Sequence, residues 1–256
     1  MLFSSLFSAS LLASALALPS SKERFDARVA RRAAGTHLSH PRISNGTDVQ
    51  YSSNWAGGVL SAAGGTWKSV TATFTVPTPK EPAGASGTHA ASVWVGIDGD
   101  TCGTAILQTG IDLYVSGTSV GFDAWYEWYP DYAYDFSGIS FGPGDSVTVT
   151  VTASSKTTGT AVVTNNSRHQ SVSKALSSSA SLCEQDAEWI VEDFSESGGL
   201  VPFANFGTVT FTGASATNAA GGHVGPAGAN AIDIEQNGQV LTSVQLGAST
   251  VTVTYV

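Results

Sequence analysis

"SVTVTVT" (146–152) alternates valine with serine and threonine at a period of two. A strand places successive side chains on opposite faces, so this stretch puts β-branched apolar groups on one face and hydroxyls on the other. That is the pattern of a half-buried strand, and it recurs along the chain. "VTATFTV" (70–76) and "STVTVTYV" (249–256) alternate in the same way, while "SVWVGI" (92–97), "TVTFTG" (208–213) and "AIDIEQ" (231–236) also read as strands. Turn-forming clusters such as "GPGD" (142–145) and "NAAGGHVGPAGAN" (218–230) separate them. "SVSKALSSSASL" (171–182) comes nearest to a helical pattern, yet no stretch shows a capped 3.6-residue period. Many short strands with frequent turns, and no repeat of clean period, predict an all-β antiparallel sandwich or barrel.

The first twenty residues, "MLFSSLFSASLLASALALPS", are apolar and end on the small-x-small site Ala15-Leu16-Ala17. Residues 1–17 read as a signal peptide, and the protein is expected to be secreted. No later segment reaches the roughly 18 apolar residues of a membrane span. Residues 18–50 are basic: Lys22, Arg24, Arg28, Arg31, Arg32 and Arg42 are six of the chain's 11 lysines and arginines. This segment reads as a propeptide with Arg31-Arg32 as a dibasic processing site, leaving 51–256 as the mature domain. Two sequons, Asn45-Gly46-Thr47 and Asn165-Asn166-Ser167, are compatible with secretion. In that oxidising setting Cys102 and Cys183, the only cysteines, are expected to form one disulfide.

From Tyr51 onward five basic residues (Lys68, Lys80, Lys156, Arg168, Lys174) face 17 acidic ones, the chain's 20 less Glu23, Asp26 and Asp48, a balance of −12. Such a surface argues against nucleic acid and anionic membranes as partners, and its like charge favours a monomer. Charged residues make up 12% of the chain, against about 25% in ordinary domains. Most carboxylates have no cationic partner, so acidification removes few ion pairs and relieves self-repulsion. The composition suits an acidic medium.

Several kinds of chemistry are absent from the pattern. His89, His169 and His223 are scattered, with no HExxH, so no metal or other cofactor is expected. "DGDTCG" (98–103) opens like a calcium loop but has Cys102 at its fifth position and Thr109 at its twelfth. There is no GxSxG and no phosphate-binding glycine loop at a strand–helix junction. Carboxylates and amides remain. In acid, a glutamate carboxyl, ordinarily titrating near pKa 4.3, is a usable general base where histidine would be protonated. "AEWIVEDF" (187–194) carries three acids in an apolar run, with Glu188, Ile190, Glu192 and Phe194 on one face and Asp193 on the other. Alternation does not separate Glu188 from Glu192. "FDAWYEWYPDYAYDF" (122–136) sets Asp123, Trp125, Glu127 and Tyr129 on one face, either a substrate cleft or an aromatic core rimmed by acids.

Five blocks, "NWAGGVL" (54–60), "TFTVPTP" (73–79), "WVGIDGDTCGTAILQTG" (94–110), "DAWYEWYPD" (123–131) and "AEWIVEDF" (187–194), resemble the fungal glutamic peptidases, or eqolisins, in order and across essentially all of 51–256. The resemblance implies a sandwich of two large curved antiparallel sheets, of lectin-like architecture, and a secreted, pepstatin-insensitive acid endopeptidase acting on proteins and peptides. It implies a catalytic pair at Gln108 and Glu192, substrate-binding roles for Trp94, Asp123, Trp125 and Glu127, and a family disulfide at Cys102 and Cys183. Asp98 and Asp100 lie in a family-like loop. The basic segment 18–50 is then expected to act as the enzyme's own inhibitor. Two other readings of the residues stand beside this one. A β-sandwich glycosidase would use Glu127 and Glu192 as its carboxylate pair. A carbohydrate-binding lectin-like protein would use Trp94, Trp125 and Trp128 as stacking platforms.

Overall fold

The computed structural model describes residues 42–43, 49–131, 133–196 and 199–256. The expected signal peptide and most of the expected propeptide lie outside them. Among the described residues there are strands, turns and one 3-10 turn at Pro226–Gly228, and no helix long and apolar enough to cross a membrane.

Alternation builds the smaller sheet. Its eight strands run Gln170–Ser177, Thr158–Asn165, Ser146–Ser155, Trp67–Thr75, Thr208–Asn218, Thr250–Tyr255 and Thr242–Leu246, with His223–Val224 added against Thr208–Asn218. In Ser146–Ser155 the valines at 147, 149 and 151 are buried, and the hydroxyl residues between them face outward. Those hydroxyls pair across strands, Thr71 with Thr150 at 2.6 Å and Thr73 with Thr148 at 2.7 Å. The outer face is therefore polar without charge. The most helix-like segment forms the strand Gln170–Ser177, paired along its length with Thr158–Asn165. An edge strand needs apolar contact on little of its surface, and pairing overrides its weak local pattern.

The ten-stranded sheet runs Arg42–Ile43, Val49–Ser52, Asn230–Gln236, Trp55–Ser61, Asp186–Glu192, His89–Ile97, Ile106–Ser116, Ser119–Tyr129 and Ala133–Asp135, with Gln239–Val240 added on Asn230–Gln236. It is antiparallel except where Asn230–Gln236 runs parallel to Val49–Ser52. The expected propeptide boundary at residue 50 falls inside that last strand. The two sheets share one core, with Val70, Phe74, Phe211 and Val251 of one against Val93, Leu107, Trp189 and Val191 of the other. Sandwich packing of this kind is what inward-facing rows on two sheets produce.

The larger sheet is also covered on its second face, by Trp55, Trp94, Trp125, Ile190 and Ile232. Every residue of His89–Ile97 and Asp186–Glu192 is consequently buried. A disulfide, Cys102–Cys183, ties the loop before Ile106–Ser116 to the segment leading into Asp186–Glu192. Carboxylates reinforce that tie. Asp98 accepts the backbone N–H groups of Glu184, Gln185 and Asp186, and Asp186 in return accepts those of Thr101 and Cys102. The sequon at Asn165 is closed in the folded chain. Asn165 is buried, and its amide nitrogen donates to Ser140 O and Asp145 Oδ2, both at 2.9 Å. Asn45 lies outside the described residues.

Candidate active site

Register fixes which side chains meet on the second face of the larger sheet, since residues paired across strands point the same way. Three rows cross four strands. Glu188 pairs with Gly96, Gly96 with Gln108, and Gln108 with Glu127. Next come Ile190, Trp94, Gly110 and Trp125, then Glu192, Ser92, Asp112 and Asp123. Gln108 and Glu192 thus share a face but occupy different rows and strands. Trp94 stands on the strand between them and in the row between them.

Two glycines make room for that tryptophan. A Cβ at Gly110 would come within 2.5 Å of Trp94 Cβ and 2.2 Å of Val93 O, and one at Gly96 within 2.9 Å of Trp94 Cζ3. With both positions bare, the indole lies down on the sheet and packs edge-on to Trp55, ring centroids 5.0 Å apart. Its Nε1 then donates to Glu192 Oε2 at 3.0 Å, and Asn54 Nδ2 donates to Glu192 Oε1 at 3.3 Å. Both carboxylate oxygens are thus held by neutral donors. Ser52 Oγ orients Asn54 by donating to its Oδ1 at 3.2 Å.

Gln108 is 0% exposed and its Nε2 donates to Glu127 Oε2 at 3.4 Å. A carboxylate at that point fixes which end of the amide is the donor. Glu192 is 5% exposed, the most open of Gln108, Glu127 and Glu192. In the third row Asp112 accepts from Ser92 Oγ at 2.7 Å and Tyr114 OH at 3.1 Å, and half-buried Asp123 stands directly opposite it. Just past the end of the strand that carries Glu192, Asp193 is buried, and burial raises its carboxyl to about 8 despite a bond from Gln236 Nε2.

The structure gathers Trp94, Gln108, Asp123, Trp125, Glu127 and Glu192 on one face. Asn54, Ser92, Asp112 and Tyr114 join them although the sequence reading did not single them out. The alternation that grouped Glu188 with Glu192 would have grouped Asp112 and Tyr114 with Gln108, and Asn54 heads a block already noticed. Asp98 and Asp100 are not members of these rows but lie on the loop after His89–Ile97, beside the Glu188 end of the first row, and Asp98 accepts backbone N–H groups. The stretch 122–136 faces two ways: Asp123, Trp125 and Glu127 lie on the site face, while Ala124 and Trp128 enter the core between the sheets. Trp94, Trp125 and Trp128 are at most 2% exposed, so the three are not available as sugar-stacking platforms, and the lectin-like reading loses its basis.

Comparison with known proteins identifies the family of this fold. The chain is 47% identical to Aspergillopepsin-2 of Aspergillus niger over 288 aligned positions that span the whole of both. It is 44% identical to Scytalidopepsin B of Scytalidium lignicola over 242 positions, 91% of this chain and 89% of that one. Among solved structures, that of scytalido-glutamic peptidase with a transition state analog inhibitor superposes with a TM-score of 0.72 at 42% identity, covering 80% of this chain and 98% of the other. Residues 53–255 match the Peptidase A4 family along nearly all of the two sheets. The chain belongs to the Peptidase A4 family, the glutamic peptidases.

Proposed function

We propose that the chain is a secreted acid endopeptidase in which Glu192 activates water and Gln108 stabilises the tetrahedral intermediate. The observation that carries this is the placement of a carboxylate, held at both oxygens by Trp94 and Asn54, on the same face as an amide whose donor end is set by Glu127. Water over Trp94 gives up a proton to Glu192, and its oxygen attacks the scissile carbonyl carbon. The carbonyl π electrons move to oxygen, where the Gln108 NH₂ donates to the developing charge. Glu192 then passes its proton to the amide nitrogen as the C–N bond breaks, leaving a carboxylic acid and an amine. No covalent enzyme intermediate forms. An amide donor is equally available at every acidic pH, whereas a second carboxyl would have to be protonated to donate. One such donor elsewhere is worth about 2.7–4 kcal/mol.

Trp94, Trp125 and Glu127 are read as the walls that hold this pair in place, with Asp123 at the more open margin of the substrate cleft. The basic segment 18–50 is read as an inhibitor docking on a domain of charge −12, released as carboxylates protonate. The mature chain is read as a monomer. The deciding experiment is digestion of a denatured protein at pH about 3 and about 7 with pepstatin present, comparing wild type with Glu192→Gln. Pepstatin-resistant cleavage confined to acid and absent from a folded Glu192→Gln variant is expected. Cleavage by that variant at the wild-type rate overturns the assignment, and polysaccharide cleavage without proteolysis moves the chemistry to the glycosidase reading.

A further inference from the structure

Glu188 is a buried acid that this reaction does not use. It is 0% exposed, and neither carboxyl oxygen has a hydrogen-bond partner. Its position is set by Gly96. The point a Cβ would occupy there lies 3.2 Å from Glu188 Oε2, 2.9 Å from Trp94 Cζ3 and 3.4 Å from Gln108 Cβ. The Glu188 carboxyl therefore fills the space a side chain at 96 would take, against the indole that holds Glu192 and the stem of Gln108.

The surroundings are hostile to charge. Asp186 lies on its own strand, Asp98 and Asp100 on the loop that follows His89–Ile97, and Glu127 beyond Gln108 in the same row. The strand on its other side presents Val59. Lys68, at this end of the molecule, is paired with Glu184 at 2.6 Å. Burial, then Asp186, Asp100 and Asp98, push the Glu188 carboxyl well above the usual glutamate range. The Asp100 N–H opposes them least, approaching without hydrogen-bond geometry.

The reaction proposed above leaves a gap that this residue fills. An ionised base and a non-titrating amide include no group that has to be protonated, so nothing in that pair turns the enzyme off towards neutrality. Resting on the glutamic-peptidase reading, we propose that Glu188 is a positioning residue that works only as the neutral acid. Protonated, it wedges Trp94 and Gln108 in register; ionised, it leaves a bare carboxylate in their row that draws the Gln108 amide away from the reacting carbonyl. Asp193 is not an equivalent candidate, because it points to the opposite face and is bonded by Gln236.

The test is the pH profile of kcat for wild type, Glu188→Gln and Glu188→Met, each normalised to its own maximum, with far-UV circular dichroism at every pH. Neither substituted side chain ionises, so the alkaline limb is expected to move up by at least about one pH unit, a tenfold gain at a fixed pH on the old limb. A limb that stays in place in a folded variant overturns the proposal and leaves the glutamic-peptidase reading standing. If both variants fail to fold, the wild type decides. Its activity should be lost on raising pH while the dichroism is unchanged, and should return on acidification. Loss of activity coincident with loss of fold overturns the proposal. A correctly processed wild type that cleaves nothing at any pH fails both readings, whereas a wild type active in acid, an inactive Glu192→Gln and an unmoved limb in the Glu188 variants fail this proposal alone.

Discussion

Glu192 receives two donors of different kinds, and their removal should differ in kind. Trp94 Nε1 belongs to a fully buried ring packed on Trp55, so Trp94→Phe keeps most of the packing and deletes one N–H. Asn54 Nδ2 belongs to a short side chain steered by Ser52, so Asn54→Ala deletes the donor and frees a hydroxyl. Losing a hydrogen bond to a charged group costs about 1.5–3 kcal/mol. Each variant should therefore lower kcat roughly ten- to a hundredfold, with KM changed far less, since on the proposed mechanism both donors act on Glu192 as base and not on bound peptide. Steady-state kinetics at acid pH, paired with a thermal melt, checks this. A KM effect that exceeds the kcat effect would place these residues in substrate binding instead.

At the scale of elements, the elements that carry the site depend on two loops stitched together. Asp98 accepts three backbone N–H groups, from Glu184 and Gln185 at 2.8 Å and from Asp186 at 3.2 Å. Asp98→Asn turns one accepting oxygen into a donor facing an N–H, and should destabilise the chain by about 2–3 kcal/mol. Replacing both cysteines by serine opens a loop of 81 residues and should cost roughly 4 kcal/mol. Chemical denaturation of the two variants measures both, and an Asp98→Asn midpoint equal to wild type would remove Asp98 from the account.

The same elements explain what the sequence made visible. In Ser146–Ser155 one face meets the core and the other meets water, so burial prints itself as alternation. In His89–Ile97 and Asp186–Glu192 both faces are covered, so burial leaves no period of two, and Glu188 and Glu192 would share a face in any alternation. Those two acids differ only in what the neighbouring strands bring: Gly96 opposite one, Ser92 opposite the other. That information is non-local, and only the resemblance to a family supplied it. Asp112, by contrast, was within reach of alternation from Gln108, while the edge strand Gln170–Ser177 was hard to read because pairing, not its own pattern, makes it a strand.

For the whole molecule, pH is the variable against which the sequence is built. The outer face of the smaller sheet is an uncharged array of hydroxyls and should be indifferent to acid. The buried carboxyls are not. Burial first of all raises Asp100 and Asp233 to about 6 and Asp193 to about 8, and raises Asp98 although three N–H groups oppose it. Each holds its proton more tightly in the folded chain than in the unfolded one. Their contribution is complete below the ordinary aspartate value of 3.8 and is lost as pH rises through the folded values, because only the unfolded chain sheds those protons early. Among the described aspartates Asp145 runs the other way: burial pushes it up, but bonds from Asn165, the Gly142 N–H and Arg168 together hold it low, so its contribution fades in strong acid. The balance predicts a Tm that is highest near pH 4 and falls steadily to about pH 8. For Asp193, raised from 3.8 to about 8, the linked loss at the upper end is on the order of 6 kcal/mol. Asp193→Asn cannot shed a proton, so its Tm should fall less steeply between about pH 4 and 8 even if it starts lower. Scanning calorimetry of both proteins across that range measures the two slopes. Parallel curves would mean that Asp193 titrates alike in both states, and a wild-type maximum at neutral pH would overturn the reading of this molecule as one stabilised by acid.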